Sequence, residues 1–452
     1  MKRAELLLPA GNLEKMQYAI AYGADAVYLG TADFSLRSPK TGNIITNDNI
    51  KNSIETAHKM GVSAYVTLNV FANNEIMEKL PPLMELLADA KPDGIIFADP
   101  GFYSHIKRYL PDVPMHISTQ ANVLNYESVK FWQDLGATRI ILARELSLKE
   151  IEQIAIKVPD IELEVLVHGS MCVAYSGRCL LSDYMTNNTR KSNQGACAQP
   201  CRWKYSLIES KRPGEEYEIT EDQHGTYILN PKDLSLIEHI PDLINAGVCS
   251  FKIEGRTKSM YYAALVAKTY KKAINAYYEG KSPDMKELYE ELSNAGNRGF
   301  TTGFLIEKPD SSHYDYKASK STLKSVFQGV IRHCERSVAI QKTDTPCILD
   351  CHVGALAPPR NDDNTYTLKI KAKNQLKLGE IVDFITPTFE ISAEILEIIG
   401  EYGEKIEVAN TNEEVCIKLN IENPPEDWKW GIIRQKEKEL LNAVKTEAYI
   451  HS

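Results

Sequence analysis

The chain lacks most of the features that assign a function at sight. No apolar run approaches the ~20 residues of a membrane span, and the run opening MKRAELLLPAG stops at Pro9, too short for the core of an export signal. H-E-x-x-H and G-x-S-x-G are absent, so the common zinc-peptidase and serine-hydrolase signatures give no support. Positive charge is in deficit: 52 Lys and Arg stand against 61 Asp and Glu, a net charge of -9 that argues against indiscriminate nucleic-acid binding. Cysteine is sparse, with nine among 452 residues. A cytoplasmic protein with no membrane association is the expectation, and in that compartment clustered thiols bind metal or react more often than they form disulfides.

Hydrophobic residues at 43% and charged residues at 25% describe a globular protein too long for one core, so two or three domains are expected. The first half alternates short buried-looking runs with amphipathic helical patterns. ELLLPAG, AVYLG, SAYVTLNV, DGIIFADP, PMHISTQ, RIILARE and IELEVLVHG give seven strands, and VCSFKIEG supplies an eighth. Eight parallel βα units predict an α/β fold, a TIM-type (β/α)8 barrel over residues 1–305. An open doubly wound sheet is the runner-up, although no Gly-rich phosphate fingerprint follows the first strand. KYSLIES and EYEIT suggest a hairpin inserted between Lys204 and Tyr227. A polar linker is expected over 306–324, and β-rich runs from SVFQGVIRHCE through CILDCHV to VCIKLNI predict a small C-terminal β-barrel over 325–440.

Four of the nine cysteines fall in one stretch, HGSMCVAYSGRCLLSDYMTNNTRKSNQGACAQPC, at Cys172, Cys179, Cys197 and Cys201. Structural zinc usually shows C-x2–4-C pairs on both sides, and in C-x6-C-x17-C-x3-C only the second pair comes close. Iron–sulfur clusters tolerate wider spacings, which sets a cluster ahead of zinc. A catalytic thiol is the other option, because His168 lies four residues before Cys172. Cys249, Cys334, Cys347, Cys351 and Cys416 read as small core residues. The stretch is locally basic: Arg178, Arg190, Lys191, Arg202 and Lys204 oppose Asp183 alone, which suits an anionic substrate.

In a TIM barrel the C-terminal ends of the strands build the site. Here those ends carry Arg37, Asn69, Asp99, Gln120, Asn122, Arg144, Glu145, His168, Glu254 and Arg256. Each alone reads as a rim hydrogen bond or ion pair; together they suggest a pocket for a small anion or a polar base.

EVLVHGSMCVAYSGRCLLS resembles the signature of peptidase family U32. LLLPAGNLEKMQYAIAYGADAVYLG, PMHISTQANVLNYESVKFW, RIILARELSL, NQGACAQPCRWKYSL, HGTYILNPKDL and FKIEGRTKSMYYAA resemble the branch of that family associated with tRNA hydroxylation. The resemblance covers nearly the whole chain. It implies a 4Fe-4S iron–sulfur cluster on Cys172, Cys179, Cys197 and Cys201. The activity implied is prephenate-dependent, oxygen-independent 5-hydroxylation of the wobble uridine of tRNA, with prephenate as co-substrate. Other branches serve ribosomal RNA or ubiquinone hydroxylation, and the peptidase label is older; no protease residues carry over. The implied partners are a tRNA anticodon stem-loop and a reductant protein. On this reading Arg37, Gln120, Arg144, Arg178 and Arg256 bind substrate, with the arginines taking phosphate or carboxylate groups. Glu254, His168 and Tyr175 are acid–base or base-reading candidates, and Arg190, Lys191, Arg202 and Lys204 hold the RNA backbone. The rivals are a thiol peptidase, a ribosomal-RNA hydroxylase and a non-catalytic, cluster-carrying RNA-binding partner. The interval between Arg202 and HGTYILNPKDL is short compared with some relatives.

Overall fold

The computed structural model describes residues 3–31, 33–36, 44–172, 174–187, 189–203, 221–222, 225–226, 231–308, 324–336, 365–421, 424–425 and 427–436. It divides into two compact units, Met1–Thr322 and Leu323–Ser452.

The first unit is a closed parallel barrel of β1 (Glu5–Pro9), β2 (Ala26–Leu29), β3 (Ser63–Leu68), β4 (Gly94–Phe97), β5 (Met115–Ile117), β6 (Ala137–Ile141), β7 (Glu162–Ser170) and β8 (Val248–Ile253). Neighbours pair in chain order, and β8 closes the ring by pairing with both β1 and β7. The runs are buried on both faces because helices cover the outside while side chains fill the inside. Several of those helices begin at the caps their sequences offer. Asn12, Asn125 and Ser259 each accept a backbone N–H of the first turn, and Ser147 with Glu150 forms a capping box.

The inside holds Leu7, Ala26, Tyr28, Tyr65, Ile96 and Ile141, threaded by ionic groups. The Arg139 guanidinium donates to Glu5 (2.6 Å), Glu162 (2.7 Å) and Glu164 (3.1 Å), and Lys252 donates to Glu164 at 2.9 Å. Burial opposes ionisation of Glu164, but Lys252 and Arg139 outweigh it and hold the carboxyl at about 2. His116, buried beside Tyr65, is pushed down to about 3 by burial and by Arg139. His168 is also pushed down to about 3, by burial and then by Lys258.

These groups set an acid dependence. Below about pH 6.5 the unfolded chain protonates both histidines while the folded chain does not, so stability falls as pH drops from about 6.5 toward 3. At pH 5 the two histidines together cost about 4 kcal/mol. Urea unfolding between pH 7.5 and 5 should show this fall, and His116→Phe should remove about half of it.

A short strand not anticipated from the sequence, Asp233–Ser235, runs antiparallel along the end of β7 from Ser170 to His168, and Phe300–Thr301 pairs with it. The expected hairpin KYSLIES–EYEIT lies outside the described residues, as does CILDCHV. Among the described residues no helix is long and apolar enough to cross a membrane.

The second unit is an antiparallel sheet whose strands include Ser325–Arg336, Thr365–Ala372, Ile381–Ile385, Glu390–Glu394, Glu397–Ile399, Glu414–Asn420 and Ile432–Lys436. The run Glu390–Ile399 closes it, because its first half pairs with Ile381–Ile385 and its second with Glu414–Asn420. Alternate residues such as Leu368, Ile370, Val415, Ile417 and Leu419 fill the interior.

Candidate active site and thiol centre

Period-two alternation decides what reaches the barrel mouth. Along β8 and beyond it, Ser250 bonds within the ionic layer, while Lys252, Glu254 and Arg256 line a pocket. Tyr28, Leu36, Thr67, Asn69, Ser118, Gln120 and Arg144 complete much of its wall. The cavity is about 60 Å³, roomy enough for several water-sized groups. Three cations, Arg144, Lys252 and Arg256, face one carboxylate, Glu254, so the pocket favours an anionic or strongly hydrogen-bonding guest.

Each cation is held in place. Arg256, 4% exposed, donates to the Ser35 hydroxyl at 2.6 Å and the Thr67 hydroxyl at 3.3 Å. Arg144 donates to the Ser170 carbonyl at 2.8 Å. Lys252 stands 4.4 Å over the Tyr28 ring, and burial lowers its ammonium pKa while the Glu164 charge opposes that shift. Lys252 thereby joins the buried ionic layer to the pocket. The Gln120 side-chain oxygen accepts from Ser118 (2.5 Å) and Asn69 (3.4 Å), leaving its amide N–H groups to turn elsewhere.

The cysteine segment is seated on this mouth. Glu145 accepts from the Ser176 backbone N–H at 2.8 Å, Phe71 donates its N–H to Asn193 at 3.1 Å, and Arg178 donates to the Gln120 carbonyl at 3.4 Å. Gly177 is the point of closest approach. Its φ is +71°, and an added Cβ would lie 2.3 Å from the Gln120 carbonyl oxygen. Gly177→Ala is therefore expected to lift the segment off the mouth. Proteolysis should cut the segment faster, while the urea midpoint of the barrel changes little.

None of the four thiols forms a disulfide, and all are half-buried. They lie within mutual reach. The Cys179 thiol is pushed up by its hydrogen bond to Cys172 and then by burial, with Cys172 and Cys197 adding repulsion. Cys201 is raised by burial, with Cys172 and Cys197 contributing. Backbone N–H groups point at the sulfurs, Gln199 donating to Cys197 Sγ at 3.3 Å. Arg190 grips the Ala196 and Cys197 carbonyls at 3.1 Å each. This is a donor set of four thiols in partial shelter, with amides and guanidinium groups positioned to offset thiolate charge. Among the described residues no three His, Cys, Asp or Glu side chains are arranged to hold a single metal ion.

The expected site residues divide into groups. Gln120, Arg144, Glu254 and Arg256 meet in the pocket. Arg178, exposed, stands at the rim over the Phe71 ring. Arg202 donates to the Met171 carbonyl at 3.3 Å and to Gln199 at 3.0 Å. Arg190 and Lys191 are exposed on the segment. Arg37 and Lys204 lie outside the described residues. Tyr175 is 60% exposed on the segment rather than inside the pocket.

His168 is a correction. The β7–β8 register passes from Leu166 opposite Lys252 to His168 opposite Ile253, so Val167 is an extra residue. That bulge turns the imidazole away from the barrel interior into the buried layer under the helix Met260–Tyr278, where it is 2% exposed among Tyr262, Tyr270 and Phe300. It neither lines the pocket nor pairs with Cys172, and its Nδ1 bonds the Tyr270 hydroxyl at 3.3 Å. Lys252 was missed in turn. It stands two residues before Glu254 on one strand face, and that spacing was the available signal.

Fold and site together define a TIM-barrel protein with a four-thiol segment over a cationic C-terminal mouth. The chain belongs to peptidase family U32: the family model matches residues 11–315, and the model of the family's C-terminal domain matches 354–428. It is 36% identical over 450 residues to the tRNA hydroxylation protein P of Escherichia coli (strain K12), covering 90% of this chain and 92% of that protein. It is 35% identical over 277 residues to the 23S rRNA 5-hydroxycytidine C2501 synthase of the same organism, covering 61% and 40%. A collagenase of Porphyromonas gingivalis is 32% identical over 337 residues, covering 72% and 79%.

Proposed function

We propose that this protein is an RNA-modifying enzyme that hydroxylates carbon 5 of the wobble uridine of tRNA. The reaction needs no molecular oxygen, uses prephenate as co-substrate and depends on a 4Fe-4S cluster. The observation that carries this reading is the seating of the four-thiol segment against the mouth of a small cationic pocket, in a chain whose relatives include named RNA hydroxylation proteins. Cys172, Cys179, Cys197 and Cys201 hold the cluster. A 4Fe-4S cluster takes four thiolate ligands, the number this segment supplies. Bound there, it supplies one-electron redox chemistry beside the mouth.

The chain's own groups bind and orient. The target base leaves the stack, as base-modifying enzymes require. The base presents one edge to the pocket. Gln120 and Asn69 meet that edge with amide groups. Lys252, Arg144 and Arg256 receive carboxylates of the co-substrate. Glu254 is the pocket's proton-accepting group. Arg178, Arg190, Lys191 and Arg202 meet phosphates, a local basic patch that an overall acidic chain confines to one site.

The peptidase reading loses its base, because His168 faces the core and does not reach Cys172. The test is nucleoside mass spectrometry on tRNA from a strain lacking the gene. Loss of 5-hydroxyuridine derivatives, restored by the wild-type gene and not by Arg256→Met, is expected. Unchanged nucleosides in a strain without a paralogue would end the proposal.

A further inference from the structure

The thiol segment carries a surface that the pocket chemistry leaves unused. Tyr175 is 60% exposed, Leu180 68%, Tyr184 79% and Trp203 41%. Single exposed apolar residues are ordinary, but here three aromatic rings and a leucine stand exposed on the one segment 175–203.

The rings ride on a knitted scaffold. The helix Leu181–Met185 packs on both the Ser192–Gln194 and Pro200–Arg202 turns. The buried Ser182 hydroxyl donates to the Arg190 carbonyl at 2.6 Å and accepts the Ala198 N–H at 2.9 Å. Tyr184 and Trp203 therefore sit on or next to elements packed against one another. Tyr175 stands two residues from Gly177, the contact with Gln120 at the pocket wall.

The charges around the rings have one sign. Arg178, Arg190 and Lys191 are exposed and Arg202 half-buried, against Asp183, whose carboxylate already accepts the Ser192 N–H and hydroxyl at 3.1 and 3.0 Å. Aromatic faces interleaved with cations hold single-stranded nucleic acid: bases stack on the rings while phosphates meet the cations.

We propose that this surface is a stacking platform for unpaired RNA bases flanking the target nucleotide. Tyr184 and Trp203 carry the outer stack, and Tyr175 carries the base nearest the pocket. The inference rests on RNA being the substrate and adds how the loop is held. The excess of cation over carboxylate favours a polyanion over a protein docked on the same rings.

The test uses anaerobically purified, cluster-loaded full-length protein. Two labelled RNAs are compared, an unmodified anticodon stem-loop and a fully paired hairpin of equal length. Wild type should prefer the stem-loop. Tyr184→Ala and Trp203→Ala should each weaken its binding roughly 5- to 100-fold and leave paired-hairpin binding unchanged. Trp203→Phe should retain most of the affinity. Lys191→Ala should reduce the salt dependence for both RNAs while the preference for unpaired RNA survives. Unchanged iron content and visible absorption in each variant establish an intact segment.

Stem-loop affinity unchanged in both alanine variants overturns the platform. If their wobble nucleoside is also formed at wild-type level, the hydroxylase reading stands without it. If they bind RNA normally but lose product, the rings dock a protein instead. Failure of the wild type to bind either RNA removes the hydroxylase reading together with the platform.

Discussion

Cys197→Ala is expected to abolish both the broad visible absorption and the RNA product. The four thiols share one segment and influence one another, and Cys197 is the one whose sulfur accepts the Gln199 N–H and whose carbonyl is gripped by Arg190. Three remaining thiols leave an open ligand position, and a cluster so exposed decays during purification. Iron and acid-labile sulfide should fall to a small fraction of wild type in anaerobically prepared protein. Cys249→Ala is the control: its thiol lies on β8 and bonds the Leu163 carbonyl at 3.4 Å, so iron content should not change. Colourless wild-type protein with stoichiometric zinc would contradict this assignment, as would full iron in the Cys197 variant.

Glu164→Gln is expected to destabilise the barrel by about 3–5 kcal/mol, the usual cost of removing one partner from a buried ion pair. Glu164 is fully buried, and its two oxygens serve Lys252 at 2.9 Å and Arg139 at 3.1 Å. Without the charge, Arg139 keeps Glu5 and the half-exposed Glu162, while Lys252 loses the carboxylate it pairs with. Glu162→Gln, at the solvent edge of the same network, should cost no more than about 1 kcal/mol. Urea unfolding of both variants at pH 7.5 separates the cases, and equal small effects would show that the layer tolerates the loss. Lys252→Met tests the other face of the link. Replacing the cation by an apolar chain also leaves Glu164 with Arg139, so stability should change less than in Glu164→Gln while the RNA product disappears.

The eight strands were legible because a strand buried on both faces must be apolar throughout, and such runs recur between amphipathic helices. The thiol centre was legible because cysteine is rare elsewhere in the first half of the chain. The pocket's wall was partly legible, because Gln120, Arg144, Glu254 and Arg256 follow their strands in the positions where a barrel builds its mouth. His168 was misread for a physical reason. Closeness in sequence to Cys172 suggested a pair, but one bulged residue at Val167 reverses the face, and nothing in VLVHGS announces a bulge. Lys252 was overlooked because a lysine within a strand reads as solvent-facing, whereas here Glu164, far off in sequence, sits on the neighbouring strand and pairs with it at 2.9 Å. Long-range pairing of that kind leaves no mark in local pattern. The exposed rings Tyr184 and Trp203 were equally silent, since exposure is a property of the folded segment.

The most direct test is a reconstitution under strict exclusion of oxygen. Cluster-loaded protein is incubated with an unmodified anticodon stem-loop, prephenate and a chemical reductant, and the RNA is digested and weighed nucleoside by nucleoside. The account predicts one added oxygen on the wobble uridine alone, dependent on prephenate and absent with Cys197→Ala or Lys252→Met. RNA recovered unmodified from iron-replete wild-type protein, with gelatin hydrolysed by the same preparation, would contradict it.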